Sequence, residues 1–211
     1  MHELARGLAY WVGRYVPLPG DAALQGTRTV GEAVAALPRE PLPEIRNVTS
    51  ARDRFNRIDS FAGYGDALEA VAPLDPQWLL SEMTSEFAGV YLAHDEVSPV
   101  PLIHGVTAPA AVRLVLPHLP GEMDLPTVTG RWQMHVALPL AFTGDNHGEG
   151  PLKVDAERAQ LPFDELAARA TEHGDEHVIK FAEACLREHG LRPDPRYAAA
   201  VEVALQRIPP R

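Results

Sequence analysis

The stretch PFDELAARATEHGDEHVIKFAEACLREHGLRPDPRYAAAVEVALQR, residues 162–207, decides the fold class. It contains three consecutive sets of helix start and stop signals. Gly174 and Gly190 are typical residues after a helix C-terminus, and Asp175 and Asp194 are favourable N-cap residues. The predicted helices cover Pro162 to His173, Glu176 to His189, and Asp194 to about Arg207. The C-terminal third of the chain is therefore predicted to be helical.

Working outward, similar signals predict helices in the rest of the chain. Asp75-Pro76 pairs an N-cap residue with proline at the first helical position. The predicted helices run from Glu3 to Val16, near Thr29 to Leu37, from Asp75 to about Ala93, from Thr107 to Pro117, and from Pro126 to Phe142. A turn is predicted at His104-Gly105, and Pro139 should kink or end its helix. No segment shows the alternation of a β-strand, so the fold class is predicted to be all-α.

Two N-terminal features complete the predicted architecture. Leu4, Leu8, Trp11 and Tyr15 form an apolar stripe that should pack on a core. Residues 17–62 are rich in proline and glycine, which predicts a long irregular loop region of the kind that covers a site or a partner. Length alone favours one domain, so residues 1–211 are treated as a single irregular multi-helical domain.

The composition excludes several classes of function. The chain has 211 residues, 19 of them basic and 29 acidic, and its net charge of −10 does not suit a nucleic-acid partner. The single Cys185 excludes internal disulfides and zinc sites built from several thiolates. Arg6 and Arg14 interrupt the N-terminal apolar stretch, and no uninterrupted apolar run reaches 18 residues, so we expect a cytoplasmic protein that does not enter a membrane. Glycine-rich nucleotide loops and the Gly-x-Ser-x-Gly elbow are absent from the sequence.

Nine histidines carry the remaining candidate chemistry, because imidazole binds metals and exchanges protons near neutral pH. His177, Lys180 and Phe181 lie three and four positions apart, so their side chains can reach one space. The simpler interpretation is a solvated Lys180 paired with Glu176 one turn earlier. His104 follows an apolar segment, where a buried and hydrogen-bonded histidine is commoner than a metal ligand.

Other polar and aromatic residues are assigned structural roles. His173 and His177 are four residues apart, but the break at Gly174 separates their helix faces. Cys185 is predicted to fill the core, since no cysteine-histidine nucleophile pattern is present. Core packing is also expected for Trp11, Trp78 and Trp132, and a flexible polar turn for the Gly144 to Gly150 loop with Asp145, His147 and Glu149.

Two stretches resemble the questin oxidase-like family: IHGVTAPAAVRLVLPHLP at residues 103–120 and DEHVIKFAEACL at residues 175–186. The opening LARGLAYW, residues 4–11, resembles the same family near the middle of its members. The resemblance covers nearly all of this chain but only the C-terminal half of a typical member. The N-terminal half of such a domain is therefore expected to be absent.

The resemblance implies a largely helical oxidoreductase. Members are known from fungal secondary metabolism, in which they cleave anthraquinone-type rings with oxygen, so an aromatic polyketide-like substrate is implied. The family's chemistry is attributed to a non-haem iron held by several histidines and a carboxylated lysine. The resemblance assigns this role to His104, His177 and Lys180. Lysine would act as a carbamate, because an ammonium cannot ligate a cation.

The resemblance also leaves the metal site incomplete, because the family's other histidine ligands belong to the N-terminal half. A separate N-terminal half, a homodimer or a truncated remnant would each account for this. The alternative function is a non-catalytic helical module that assembles with a separate N-terminal half and exposes apolar helix faces without it. A third alternative is an enzyme that takes a nicotinamide cofactor such as NADPH from solution.

Overall fold

The computed structural model describes residues 2–15, 17–39, 41, 50–144 and 161–211. Within these ranges the chain forms ten α-helices and no β-strand, which confirms the predicted all-α class. The α-helices are α1 His2–Arg14, α2 Val30–Ala35, α3 Ala51–Phe55, α4 Tyr64–Leu68, α5 Pro76–Ala93, α6 Pro99–Val115, α7 Asp124–Phe142, α8 Phe163–His173, α9 Glu176–Leu191 and α10 Pro195–Arg207. Short 3-10 helices cover Ile58–Ser60, Leu116–His118 and Gly121–Met123.

Helix α5 lies at the centre of the bundle, with α2, α6, α7 and α10 packed around it. Its start confirms the prediction: Asp75 Oδ1 accepts hydrogen bonds from the backbone N–H groups of Gln77 and Trp78 at 2.9 and 3.1 Å. Its buried side chains include Leu79, Leu80, Met83, Phe87, Val90 and Tyr91. A helix that is apolar on most sides is expected in such a central position.

Helix α6 is continuous through His104-Gly105, so the predicted turn there and the predicted helix start at Thr107 are wrong. Gly105 allows close packing instead. A Cβ atom at this position would lie 2.2 Å from Cδ1 of Phe87 on α5. A glycine can mark a turn, or it can allow a neighbouring helix to pack closely. The sequence alone does not distinguish these two roles, because it does not show which helix lies next to the glycine.

The prolines inside α6 and α7 do not end these helices. Pro109 has no N–H, so the Gly105 carbonyl lacks its usual helical donor. His135 Nε2 on α7 occupies that place, 2.8 Å from the carbonyl oxygen. Helix α7 likewise continues past Pro139 to Phe142 rather than ending there. Pro109 is tolerated in α6 because the His135 side chain satisfies the Gly105 carbonyl that the proline leaves unpaired.

The three C-terminal helices begin as predicted. Gly174 has a φ of 76° and ends α8, while Asp175 and Asp194 accept hydrogen bonds from the N–H groups of His177 and Arg196. The predicted stop at Gly190 is displaced, since α9 continues to Leu191. Helix α9 packs against α6, α8 and α10, which places its first turn beside α6.

Some of the described residues in segment 17–62 contribute to the core. Thr29 and Glu32 form a reciprocal capping box that starts α2, within the predicted helical stretch. Val30 and Ile58 are completely buried. The predicted long irregular region, with its one helical stretch near Thr29 to Leu37, therefore contains further short helices and adds buried side chains to the bundle.

Helix α1 forms close to the predicted range, but two side chains of the predicted apolar stripe, Leu8 and Tyr15, are exposed. Leu8 is 48% exposed and Tyr15 is 62% exposed, so the prediction that these two side chains pack on the core is wrong. Val12 on the same helix is 78% exposed. The helix presents large apolar side chains to solvent.

One segment, Pro99–His118, is long and apolar enough by length and composition to cross a membrane, with a hydropathy of 1.4. In the bundle this segment contributes Leu102, Ile103 and Val106 to the buried core. Core helices of soluble proteins have the same composition, so the segment is consistent with a soluble fold. A cytoplasmic location stays a prediction.

A buried ion pair joins α6 to α9. Arg113 donates from Nε and Nη2 to the two carboxylate oxygens of Glu188 at 3.0 and 2.9 Å, and the Glu188 side chain is fully buried. Arg113 Nη2 also donates to Ser81 Oγ at 2.9 Å. The hydroxyls of Thr84 and Tyr197 lie 2.7 Å apart beside the pair. These five residues form the Glu188 cluster, in which the two buried charges neutralise each other.

Candidate functional site

The three residues assigned to metal binding meet where α6 contacts α9. The ring centroids of His104 and His177 are 6.3 Å apart, with the ring planes inclined at 64°. Lys180 lies one turn after His177, and its positive charge acts on His104. His104, His177 and Lys180 are called the histidine-lysine cluster below. Neither histidine lies in the fully buried core that the simpler interpretation of His104 implies.

His104 presents a ligand-competent imidazole. Its Nδ1 donates to the Val100 carbonyl at 2.8 Å, which leaves the lone pair on Nε2. Part of the ring is open to solvent. Removal of the rest from water lowers the pKa of His104, and the nearby charges of Lys180 and His177 lower it further. The ring is therefore neutral near pH 7, the form that binds metals.

His177 is oriented by the residue that caps its helix. Asp175 Oδ1 accepts from the backbone N–H of His177 at 2.9 Å and lies 3.1 Å from its Nδ1. Asp175 Oδ2 pairs with Arg211 Nε at 3.0 Å. Removal from water raises the pKa of Asp175, but the hydrogen bonds from His177 and the charge of Arg211 outweigh it and keep the pKa below its usual value. A carboxylate on Nδ1 leaves Nε2 free, as in many metal-bound histidines.

Lys180 does not adopt the solvated arrangement of the simpler interpretation. Among the described residues Lys180 forms no ion pair with Glu176, whereas its neighbours Glu183 and Arg187 do pair, with Arg187 Nε 2.8 Å from Glu183 Oε1. The Lys180 side chain is half-buried. It therefore lies near His104 and His177 instead of forming a surface ion pair with Glu176.

A cavity of about 360 Å³ opens beside His104 between α3, α6 and α7. Its walls are mostly apolar and include Phe55, Ala108, Leu138 and Phe142. The rings of Phe55 and Phe142 meet edge to face, with centroids 5.6 Å apart. The volume is at the lower end of the range for small-molecule pockets, about 300–1,000 Å³.

Arg131 is the charged residue in the wall of this cavity. Burial lowers the pKa of Arg131 to about 10, and its Nη2 is buried without a hydrogen-bond partner in the described chain. Its Nε lies 3.4 Å from Nδ1 of His135, the histidine that binds the Gly105 carbonyl. Sequence reasoning missed Arg131. The sequence did contain a signal for this residue: Arg131 is the single arginine or lysine in the mostly apolar helical stretch that ends at Phe142.

His135 supports Arg131 from inside the core. Burial lowers the pKa of His135 to about 3, with a further contribution from the charge of Arg131, so the ring is neutral. A neutral imidazole carries one ring proton. With this proton on Nε2 toward the Gly105 carbonyl, Nδ1 is the acceptor for Arg131 Nε, although Nδ1 also lies 2.9 Å from the Arg131 carbonyl oxygen. The Phe87 ring packs 4.3 Å from the imidazole and holds it in place.

A second cavity of about 380 Å³ adjoins the first. Phe55 and Met134 contribute to the walls of both, and Tyr10, Tyr15 and Arg52 line the second one. Helix α1 therefore contributes to this cavity although its apolar stripe is largely exposed. The two cavities together form a surface that begins at His104 and extends toward α1.

The remaining residues singled out in the sequence fall into three groups. Cys185 and Trp132 are completely buried, which confirms core packing, and burial raises the pKa of the Cys185 thiol. Trp78 is 48% exposed and stacks under Arg192, so its assignment to the core is wrong. His173 and His177 lie on separate helices, as predicted. The Trp11 side chain and Asp145, His147 and Glu149 lie outside the described residues.

The donor set fits a metal only in part. Two imidazoles with free Nε2 atoms suit a first-row transition metal, and a carbamate on Lys180 would add an oxygen anion. No group of three or more His, Cys, Asp or Glu side chains suited to a metal occurs in the part of the chain that the structure describes. The histidine-lysine cluster therefore supplies two unmodified ligands at most.

Comparisons with known proteins give no match: no family model, no curated protein and no solved structure is significantly similar to this chain.

Proposed function

We propose that the chain is a questin oxidase-like oxidoreductase that oxygenates or cleaves an aromatic polyketide-like substrate. His104, His177 and Lys180 would hold a non-haem iron in this proposal. The observation that carries it is the meeting of these three side chains, from two helices far apart in sequence, beside an apolar cavity. The same residues are the ones that the family resemblance assigns.

The local chemistry supports a role in metal binding. The Val100 carbonyl and the Asp175 carboxylate each occupy Nδ1 of one histidine, so both rings keep Nε2 for a ligand. The lowered pKa of His104 keeps that ring deprotonated at Nε2. A bound iron would supply Lewis acidity and redox chemistry toward oxygen. The adjacent cavity would bind the aromatic rings and exclude water.

Elemental analysis of the purified full chain, expressed with iron available, tests the proposal. About one iron per chain, or per dimer, is expected for the wild type. His177→Ala and Lys180→Ala should lose it, because each removes one of three donors. His118→Ala, an exposed histidine in a 3-10 turn, is the matched control and should retain the metal. Equal iron content in all four proteins, or no iron in any, would contradict the assignment.

Oxygen uptake with anthraquinone-type substrates then tests the activity itself. The assay is run with and without NADPH, because the third alternative requires that cofactor from solution. Uptake that depends on iron and on His177 supports the oxygenase. Uptake that depends on NADPH but survives His177→Ala would favour a nicotinamide-dependent enzyme instead.

One observation favours the alternative of a helical module that assembles with a partner, either a second copy or a separate N-terminal half. Leu8 is 48% exposed and Val12 78% exposed on α1, more apolar surface than a monomer usually leaves on one short helix. Light scattering after size exclusion measures association directly. Val12→Asp should shift an oligomer toward monomer, whereas Ala167→Asp on α8 should not. A wild-type monomer rules out self-association through α1.

A further inference from the structure

Arg131 is a half-buried cation for which the described residues supply no carboxylate partner. Within the described ranges no carboxylate pairs with Arg131, and Nη2 has no hydrogen-bond partner. Arg196 shows the usual arrangement: it also has one unpartnered buried nitrogen, but it pairs with Asp194 and Glu86 at 2.7 and 3.1 Å. A buried charge with no partner is unfavourable, and proteins seldom keep one without a compensating ligand.

The groups around Arg131 do not neutralise it. His135 contacts Nε as a neutral ring, and the charge of Arg131 further disfavours protonation of both His135 and His104. Lys180 adds a second positive charge near His104. The end of the cavity that contains Arg131 and His104 is therefore positive, in a protein whose net charge is −10.

The rest of the cavity is apolar. Phe55 and Phe142 form an aromatic corner, and Leu138 and Ala108 continue the wall toward His104. A ligand that fits both halves must combine an apolar body with one negatively charged group.

We propose that the cavity between α3, α6 and α7 binds a flat apolar monocarboxylate, with its body against Phe55 and Phe142 and its carboxylate on Arg131. Guanidinium favours this group because its parallel N–H donors match two carboxylate oxygens. Nε is directed to His135, so the Nη end of the side chain is the part left for the ligand. The inference does not depend on iron, since none of these residues is assigned to the metal.

A pair of isosteric probes tests the proposal: 2-naphthoate and its neutral amide, 2-naphthamide. Calorimetric titration of the full chain at pH 7, with a chelator present, measures both affinities without bound metal. The acid should bind at least tenfold more tightly than the amide, because only the acid can neutralise Arg131. Equal affinities, or no binding of the acid up to millimolar concentration, would overturn the proposal.

Two variants separate the charge from the apolar body. Arg131→Met keeps the apolar stem and should lower the affinity for the acid tenfold or more, while the amide changes less than threefold. Ala108→Trp fills the cavity and should abolish binding of both probes. Arg169→Met, on the exposed surface of α8, is the matched control and should change neither affinity.

Each variant result decides part of the proposal. A preference for the acid that survives in Arg131→Met places the carboxylate elsewhere and overturns the assignment. Binding that survives in Ala108→Trp places the body outside this cavity and overturns it as well. Circular dichroism checks folding, and if Arg131→Met does not fold, Arg131→Lys replaces it: loss of the paired N–H donors should weaken binding of the acid but not of the amide, and an unchanged affinity for the acid would overturn the assignment.

Discussion

Two arginines on neighbouring helices have opposite surroundings. Arg113 on α6 is paired through three hydrogen bonds with Glu188, and the side chains around it complete the Glu188 cluster. Arg131 on α7 is half-buried, with Nη2 removed from water, but it has no carboxylate partner within the described chain, and it lies in the wall of an open cavity. Glu188 neutralises Arg113 within the fold, whereas Arg131 is available to a ligand in the cavity.

This difference in pairing assigns a structural role to Arg113 and a binding role to Arg131, and it requires no comparison with related proteins. Breaking a satisfied buried pair leaves an uncompensated charge and destabilises the fold. Removing a cation that has no carboxylate partner leaves no opposite charge uncompensated. The two arginines should therefore respond in opposite directions to the same substitution, and stability measurements can test this.

Arg113→Met should cause the largest loss of stability. The substitution removes the closer of the two cations on the fully buried Glu188 carboxylate and leaves only Arg187, whose Nη1 lies 3.4 Å from Glu188 Oε1, so we expect a loss of about 3 kcal/mol of unfolding free energy. Urea denaturation followed by circular dichroism measures the loss. Arg169→Met breaks an exposed ion pair and should cost less than about 1 kcal/mol. Similar losses in the two variants would mean that the Glu188 cluster is not the structural centre described above.

Gly105→Ala should have the next largest effect on stability. Gly105 lies where α6 packs closely on α5, and its carbonyl binds His135, the histidine that contacts Arg131. The new Cβ would overlap the Phe87 ring at 2.2 Å, and overpacking of this kind costs about 1–3 kcal/mol. Gly130→Ala on α7 meets no atom within 4 Å and should raise stability by up to about 1 kcal/mol. Opposite signs in the two denaturation curves are expected, and a neutral Gly105→Ala would contradict the close packing of α5 on α6.

Acid pH should lower the unfolding free energy through protonation of His135, the neighbour of Arg131. The pKa of His135 is about 3 in the folded chain, whereas an unfolded histidine titrates near 6.5, so the unfolded state binds the extra proton between these values. Stability should fall as the pH decreases below about 6.5, by about 1.4 kcal/mol per pH unit from this group. The difference between wild type and His135→Gln, measured from pH 7 to pH 5, isolates the effect; parallel curves would contradict it.

Arg131→Met should have the smallest effect on stability and in the opposite direction from Arg113→Met. An apolar side chain of similar length removes an uncompensated charge, so unfolding free energy should stay constant or rise by about 1 kcal/mol. Thermal denaturation without ligand measures the change. A loss of 3 kcal/mol or more would assign Arg131 to the structural group and remove the contrast with Arg113.

The sequence predicts those parts of the fold that depend on local chemistry. Asp75-Pro76, Asp175 and Asp194 act on backbone groups two or three residues away, so their helix starts follow from the sequence. Gly105 is misread because its role depends on Phe87, eighteen positions earlier on another helix. The exposure of Leu8 is missed for the same reason: amphipathic spacing predicts an apolar face but not what covers it.

The candidate site divides in the same way. The spacing of His177 and Lys180 on α9 is visible in the sequence, and the resemblance adds His104 from α6. Their meeting depends on how α6 packs against α9, which only the structure shows. Arg131 is invisible as a binding residue in the sequence, because its significance is the absence of a nearby carboxylate in three dimensions.

The completely buried Cys185 has a practical use. It is the single cysteine of the chain and lies on α9, two turns beyond His177. A thiol reagent can modify it only while α9 is detached, and its raised pKa further slows reaction in the closed state. Labelling kinetics therefore report how often this helix opens under native conditions. A ligand that bridges α6 and α9 should slow the labelling, whereas one confined to the cavity between α3 and α7 should leave the opening rate of α9 almost unchanged.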